Sequence, residues 1–246
     1  MTTSSTTSFN SFLDSPICDL NINICNKKIQ SYIAIIKEEL KIKNIKLDPV
    51  YFISDEWFCY DSSIQIGIPF YLFSKELMEI ENFFIGYIEG GSKKEFLKLL
   101  RHEIAHAIDN AYSIRKSKKR QKLFGLTSTP YPSSYHPITS SKSFVHNLSD
   151  NYAQAHPDED WAETFAVWLD PNSDWKNKYN NWPAIKKIKL VDDLISTLPN
   201  KRPLFQKVRP EVFSITLREY YKLKLHKIDK SCRSFFATPI KSIFIK

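Results

Sequence analysis

Residues 100–112, LRHEIAHAIDNAY, constrain this chain more than any other stretch. They place His102 and His106 four residues apart, with Glu103 directly after the first histidine, which is the H-E-x-x-H spacing of a zinc site. Residues four apart lie one turn above each other on the same face of an α-helix, so both imidazoles can bind one metal ion. The carboxylate of Glu103 then lies close enough to act as a general base on water.

The residues around this motif predict the helix that it needs. Gly90 and Gly91 are typical of a turn, and Ser92 followed by Glu95 predicts a capping box that starts a helix at Lys93. In the alternative interpretation, the two histidines make only ordinary hydrogen bonds on that helix. Apolar residues recur at helical spacing and predict its buried side: Phe96, Leu99, Leu100, Ile104 and Ile108.

Length and composition bound the class of protein. A chain of 246 residues, 42% of them hydrophobic, is long enough for one catalytic domain with a substantial core and a small extension. The net charge of +8 and the pI of about 9.1 would suit a nucleic-acid-binding protein. Lysine is spread along the whole chain, however, and no recognised nucleic-acid-binding motif accompanies it, so nucleic acid is not the expected partner.

Cysteine spacing and hydropathy predict a soluble, cytoplasmic protein. The N-terminal residues lack the basic and apolar regions of a Sec signal peptide. No apolar run reaches the roughly 18 residues that span a bilayer, so no membrane partner is expected. Export by another route stays open. The cysteines form no C-x-x-C pair and indicate free thiols in a reducing compartment: Cys18, Cys25, Cys59 and Cys232.

Composition divides the chain into three parts. Residues 1–16 are rich in Ser and Thr and are expected to be disordered. Residues 17–200 are predicted to form the main domain, and residues 201–246 a basic helical extension that packs on it. The sequence contains no internal repeat, and it predicts no oligomeric state.

Periodicity predicts short strands and amphipathic helices within the domain. Residues 64–69 contain Pro69, which cannot donate a hydrogen bond to a neighbouring strand, so they are the candidate edge strand for binding a substrate backbone. A buried strand is the alternative for the same residues. Strands are predicted at 50–53 and 64–70, and helices at 26–44, 74–84, 158–170 and 182–198.

A basic run at residues 115–120, RKSKKR, is by default interpreted as a solvated surface. If it bordered the cleft, it would favour acidic substrates. Residues 124–147 carry prolines among Ser, Thr and Tyr, and they are predicted to form a long ordered loop.

Two histidines do not complete a catalytic zinc site, which usually has three protein ligands and one position left for water. The compact H-E-x-x-H-x-x-G-x-x-H pattern does not apply, because Asp109 and Tyr112 stand where it requires Gly and His. The third ligand must therefore come from elsewhere. Asp109 lies one turn after His106 and is a candidate to orient that histidine, with N-capping or solvation as the alternatives.

Glu159 and Glu163 are the main candidates for the missing carboxylate. They share one face of a predicted helix, while Trp161 points mostly elsewhere, into the core. One carboxylate would bind zinc, and the other would accept a hydrogen bond from the far nitrogen of a ligating histidine. We favour Glu159 as the ligand. Glu163, His156 or Asp109 could take that place, and a solvated acidic face is the alternative without a metal.

These residues resemble a known family of enzymes. HEIAHAIDNAY, followed by the Y-x6-E-x3-E pattern of Tyr152, Glu159 and Glu163, is similar to the gluzincin metallopeptidases, in particular to the lethal-factor type. Together with SDEWF, IPFYLF and YAQAHPDEDWAETFAVWL, it resembles a bacterial family of zinc-binding metallopeptidases over residues 45–195. The resemblance implies an α+β, zincin-like metallopeptidase fold with a small mixed sheet, an active-site helix and a mainly helical C-terminal part.

By position, the resemblance implies one Zn²⁺ ion bound by His102, His106 and Glu159, with Glu103 as the general base. Ala105 stands where many relatives carry Gly, which should be tolerated because both residues are small. The expected reaction is hydrolysis of a peptide bond in a protein or peptide substrate by a metal-activated water. A catalytically silent binding module on the same fold and a basic nucleic-acid-binding protein are the rival interpretations.

The resemblance implies two further roles near the metal. Glu163 is expected to support a ligating histidine, and Tyr152 to donate a hydrogen bond to the oxyanion of the reaction. Packing is the alternative role of Tyr152. His136 and His146 are weaker candidates for the same donor.

Overall fold

Helices and a small sheet make up the chain in this computed structural model, which describes residues 11–132, 135–198, 202–207 and 214–233. The predicted α+β class is confirmed, and each predicted helix is found with its ends displaced by at most about three residues. The described helices are α1 (Lys27–Ile42), α2 (Lys75–Ile85), α3 (Lys93–Tyr112), α4 (Lys118–Phe124), α5 (Pro157–Leu169), α6 (Trp175–Lys178), α7 (Ile185–Ser196) and α8 (Leu217–Arg233).

Within the described residues the sheet has three strands, β1 (Val50–Ser54), β2 (Phe58–Cys59) and β3 (Gln65–Pro69), in the order β1-β3-β2. β1 runs parallel to β3, β2 runs antiparallel to it, and every residue of β3 is buried. The prediction of an edge strand at 64–69 is therefore wrong, and its alternative, a buried strand, is confirmed. Pro69 is tolerated because it ends the strand, where a missing N–H does not interrupt the ladder.

The helix α3 begins where the capping signal predicts. The side chain of Ser92 accepts a hydrogen bond at 3.2 Å from the backbone N–H of Glu95. The predicted apolar side of α3 is buried against α5 and the sheet. Ser113 ends the helix in the left-handed conformation, with a φ of 52°. Neither α3 nor any other helix of the described residues is both long and apolar enough to cross a membrane.

A buried ion pair joins α1 to α3 beside the predicted metal ligands. Both oxygens of Glu39 accept hydrogen bonds from Arg101, each at 2.7 Å. Asp170, directly after α5, lies 3.2 Å from the same guanidinium. Because Arg101 precedes His102 in α3, these contacts connect three helices next to the predicted site.

We expect Glu39→Ala to lower the free energy of unfolding by about 3 kcal/mol, because among the described residues it leaves the buried Arg101 with Asp170 as its carboxylate partner. Urea denaturation followed by circular dichroism measures this loss. Glu38→Ala is the matched control, since its exposed pair with Lys41 should contribute less than about 0.5 kcal/mol. Equal losses in the two variants would contradict the structural role of the buried pair.

The predicted disorder of residues 1–16 is corrected in part. Leu13 is buried in the core, and Pro16 forms an antiparallel β-bridge with Thr216. The partner segment lies near the other end of the chain, so no local pattern could indicate it. The rest of the predicted segment, residues 1–10, lies outside the described residues.

The helix α8 attaches the C-terminal part to the domain. Tyr220 and Tyr221 are buried, and Lys224 forms an ion pair at 2.6 Å with Glu81 of α2. Parts of the predicted extension at 201–246 lie outside the described residues.

Candidate metal centre

The helices α3 and α5 pack against each other and bring Glu159 of α5 next to His102 and His106 of α3. Nε2 of His102 lies 3.0 Å from Oε2 of Glu159 and 3.1 Å from Nε2 of His106. Nε2 of His106 lies 3.4 Å from the same oxygen of Glu159. The three atoms thus form a compact triangle, and this group could hold a metal ion.

The spacing of these atoms fits a zinc ion. Ligand atoms about 2.0–2.1 Å from a tetrahedral zinc lie about 3.3 Å from one another. The observed separations of 3.0, 3.1 and 3.4 Å are close to that value. Two imidazoles and a carboxylate are also a donor set of catalytic zinc sites. The residues that are present therefore fit the metal that the motif predicts.

Glu163 lies one turn after Glu159 and contacts the opposite side of the His102 ring. Its Oε1 is 2.8 Å from Nδ1 of His102 and accepts a hydrogen bond from the Asn147 side chain, also at 2.8 Å. Its Oε2 accepts from the backbone N–H of Leu148 at 2.9 Å. This buried carboxylate keeps a proton on Nδ1, which leaves Nε2 of His102 facing Glu159.

The positive charge of His102 and the negative charge of Glu159 stabilise each other. Burial alone would lower the pKa of His102, but the hydrogen bonds to Glu159 and Glu163 raise that pKa well above its ordinary value. Burial likewise opposes ionisation of Glu159, yet its hydrogen bonds with both histidines hold its pKa well below the ordinary range. A proton on Nε2 of His102 occupies the position that a metal ion would take, so a cation can replace it there.

Glu103 is buried directly beside the two histidines. It lines a cavity of about 480 Å³ whose wall also includes His102, His106 and Glu159. Burial raises the pKa of Glu103, while the two histidines lower it in part. A carboxylate of raised pKa at the wall of a cavity is suited to accept and return a proton.

Tyr152 stands on another wall of this cavity, in the 3-10 turn that precedes α5. The centroid of its ring is 5.8 Å from that of His102. Burial raises the pKa of the phenol, so it stays protonated and can donate a hydrogen bond near neutral pH. The described residues that line the cavity do not include His136 or His146, the weaker candidates for this donor.

The structure corrects the expected role of Asp109. Its two carboxylate oxygens accept hydrogen bonds from the backbone N–H and the side chain of Arg115, at 2.5 and 2.9 Å. Arg120 lies 3.8 Å from the same carboxylate. Asp109 is fully buried and orients the segment after α3, so the prediction that it orients His106 is wrong.

In the basic run at 115–120 the lysines are exposed to solvent, whereas the two arginines are half-buried or buried. Arg120 is fully buried and donates to Asp158 at the start of α5. Arg115 does line the cavity, but its guanidinium is paired with Asp109. The expectation of a basic patch that favours acidic substrates therefore finds no support at these two arginines.

His156 is a helix cap in the structure, so it is not a metal ligand. Its Nδ1 accepts a hydrogen bond at 3.1 Å from the backbone N–H of Asp158. Its Nε2 lies 2.7 Å from the carbonyl oxygen of Thr129, which requires the proton to be on Nε2. Both ring nitrogens are therefore engaged in fixing the start of α5.

Tyr131 is the residue at this site that the sequence analysis missed. Its phenol donates a hydrogen bond at 2.6 Å to Oε1 of Glu159, and its ring stacks on His156 with centroids 3.9 Å apart. It comes from the proline-containing loop between α4 and α5, where no periodicity relates one side chain to another. No signal in a single sequence connects it to Glu159.

Comparison with known proteins gives one match. Neither the curated proteins nor the solved structures contain a significant match to this chain. Residues 92–197 match the sequence profile of one family, and this stretch contains α3, α5 and every candidate ligand. The family that matches this stretch carries the description "putative zinc-binding metallo-peptidase".

Proposed function

We propose that this chain is a zinc-dependent peptidase of the gluzincin type. One observation carries the proposal. His102, His106 and Glu159 lie at the spacing of zinc ligands on the wall of a cavity that Glu103 also lines. A structural zinc site needs no buried carboxylate of raised pKa beside its ligands. A peptidase does need one, because the attacking water must lose a proton.

The same residues would hold the metal, through Nε2 of each histidine and Oε2 of Glu159. When bound, the ion polarises the carbonyl of the scissile bond and makes a water molecule more acidic. Glu103 accepts the proton of the attacking water and then delivers it to the amine that leaves. Its raised pKa suits both steps, because the carboxylate must bind the proton before it releases it.

An edge strand of the sheet beside the cavity favours a protein or peptide as the substrate. Phe58 and Cys59 form the short edge strand β2, and both line the cavity beside the metal ligands. An extended peptide can pair with such an edge through its backbone. The binding strand that the sequence analysis placed at 64–69 is thus replaced by β2 in this proposal.

Tyr152 is the proposed donor to the oxyanion that forms at the scissile carbonyl. We expect Tyr152→Phe to lower kcat by about 10²–10³-fold with a smaller change in KM, because the hydrogen bond is made mainly in the transition state. Steady-state kinetics on a cleaved peptide measure both constants. Tyr112→Phe is the control, since its exposed phenol donates to the carbonyl of Lys46. Unchanged kcat in Tyr152→Phe would leave Tyr152 a packing role.

A peptide digest with and without chelator tests the proposed function. The wild-type protein, loaded with zinc, is incubated with a broad peptide mixture, and new termini are identified by mass spectrometry. Cleavage should disappear with chelator and return with added zinc. A Glu103→Gln preparation excludes a contaminating protease. Failure of a zinc-loaded protein to cleave any peptide would favour a catalytically silent binding module instead.

A further inference from the structure

The two oxygens of Glu159 have different partners. Oε2 faces both histidines, at 3.0 Å from His102 and 3.4 Å from His106. Oε1 accepts the hydrogen bond from the phenol of Tyr131 at 2.6 Å. A carboxylate ligand can bind a metal through one oxygen or through both, so a donor that occupies one oxygen influences that choice.

The phenol of Tyr131 is held in place by the start of the helix that carries Glu159. Its ring stacks on His156 at an interplanar angle of 9°. His156 in turn caps α5 through Asp158 and contacts the carbonyl of Thr129 in the same loop as Tyr131. The donor and the carboxylate are therefore fixed to one local framework, which keeps the geometry of their hydrogen bond constant.

We infer that Tyr131 is a positioning residue that makes Glu159 a one-oxygen metal ligand, an inference that rests on the zinc site of the proposed function. By occupying Oε1, the phenol leaves Oε2 as the oxygen available to the metal. It also prevents rotation of the carboxylate away from the histidines. Tyr131 lines the cavity, but its task is to orient Glu159 and it takes no part in proton transfer.

The exposure of Tyr131 argues against a merely structural role. The residue is 57% exposed, so its ring contributes little to the core. The Tyr131→Phe variant keeps the stack on His156 and removes only the hydroxyl. The Tyr131→Phe variant should therefore still fold, and its main effect should be on the orientation of the Glu159 carboxylate.

Zinc affinity of the metal-free protein, measured by competition with a chromophoric chelator, tests the inference without an activity assay. We expect Tyr131→Phe to bind zinc about 10–100-fold more weakly than wild type, the usual effect of removing a partner of a metal ligand. Tyr135→Phe is the matched control in the same loop, because its phenol donates to the backbone carbonyls of Asp150 and Asn151. Its zinc affinity should equal that of wild type.

Two further measurements separate the outcomes. The absorption spectrum of the Co²⁺-loaded protein should change in Tyr131→Phe and not in Tyr135→Phe, because it depends on how the ligands surround the metal. The thermal midpoints of the two metal-free variants should stay within about 10 °C of wild type, which is the range expected for loss of one or two hydrogen bonds. Equal zinc affinity of Tyr131→Phe and wild type would overturn the inference while leaving the zinc site intact. No zinc binding by the wild-type protein would overturn the proposed function and this inference together.

Discussion

Glu103→Gln should abolish peptide hydrolysis and retain zinc. The amide matches the shape of the carboxylate but cannot accept a proton from the attacking water, so kcat/KM should fall by about 10²–10⁴-fold or below detection. Glu103 is not one of the three residues that converge as candidate ligands, so the metal content should stay at the wild-type level. Peptide cleavage and elemental analysis of the same preparation provide the two measurements.

Glu95→Gln is the matched control for this prediction. It makes the same substitution two turns earlier on α3, where Glu95 contributes its backbone N–H to the Ser92 cap. Its activity should stay within a few-fold of wild type. If Glu103→Gln kept full activity, Glu103 would lose its role as the base. If it lost zinc as well as activity, the loss of activity would not report on proton transfer.

The parts of the site that the sequence predicts are those that follow from local periodicity. His102 and His106 must share a face once α3 is a helix, and the cap at Ser92 made that helix predictable. Glu159 and Glu163 share a face of α5 for the same reason. The hydrophobic periodicity of α3 and of α5 does not predict that these two helices pack against each other. The contact is expected only because a catalytic zinc site usually has three protein ligands.

The predictions that the structure corrects concern contacts between residues that are not related by helical or strand periodicity. Asp109 could orient His106 by spacing alone, but Arg115 follows the helix closely enough to take both of its oxygens. The strand β3 contains a proline and looks like an edge, yet β2 pairs with it from a stretch too short for alternation to appear. Tyr131 reaches Glu159 from an irregular loop. Such contacts depend on the tertiary arrangement.

Glu159→Gln and Glu163→Gln should separate the ligand from its supporting carboxylate. Both substitutions remove one negative charge from the same helix, one turn apart. Glu163 contacts His102 on Nδ1, away from Glu159 and His106, so its loss should weaken zinc binding by about 10–100-fold. Glu159 faces both histidines directly, and its replacement by a neutral amide should weaken binding by more than about 100-fold.

Chelator competition measures both affinities, and His102→Ala provides the reference for loss of a proposed histidine ligand. Glu163→Gln should also lower the free energy of unfolding by about 1–3 kcal/mol, since its new amide nitrogen must face the Asn147 amide or the Leu148 N–H. Glu159→Gln should also lower the free energy of unfolding of the metal-free protein, because it removes the charged partner of His102 and His106. The two variants are therefore distinguished by their zinc affinities and not by their metal-free stability. If Glu163→Gln lost zinc completely while Glu159→Gln kept a full equivalent, the proposed order of the two carboxylates would be reversed.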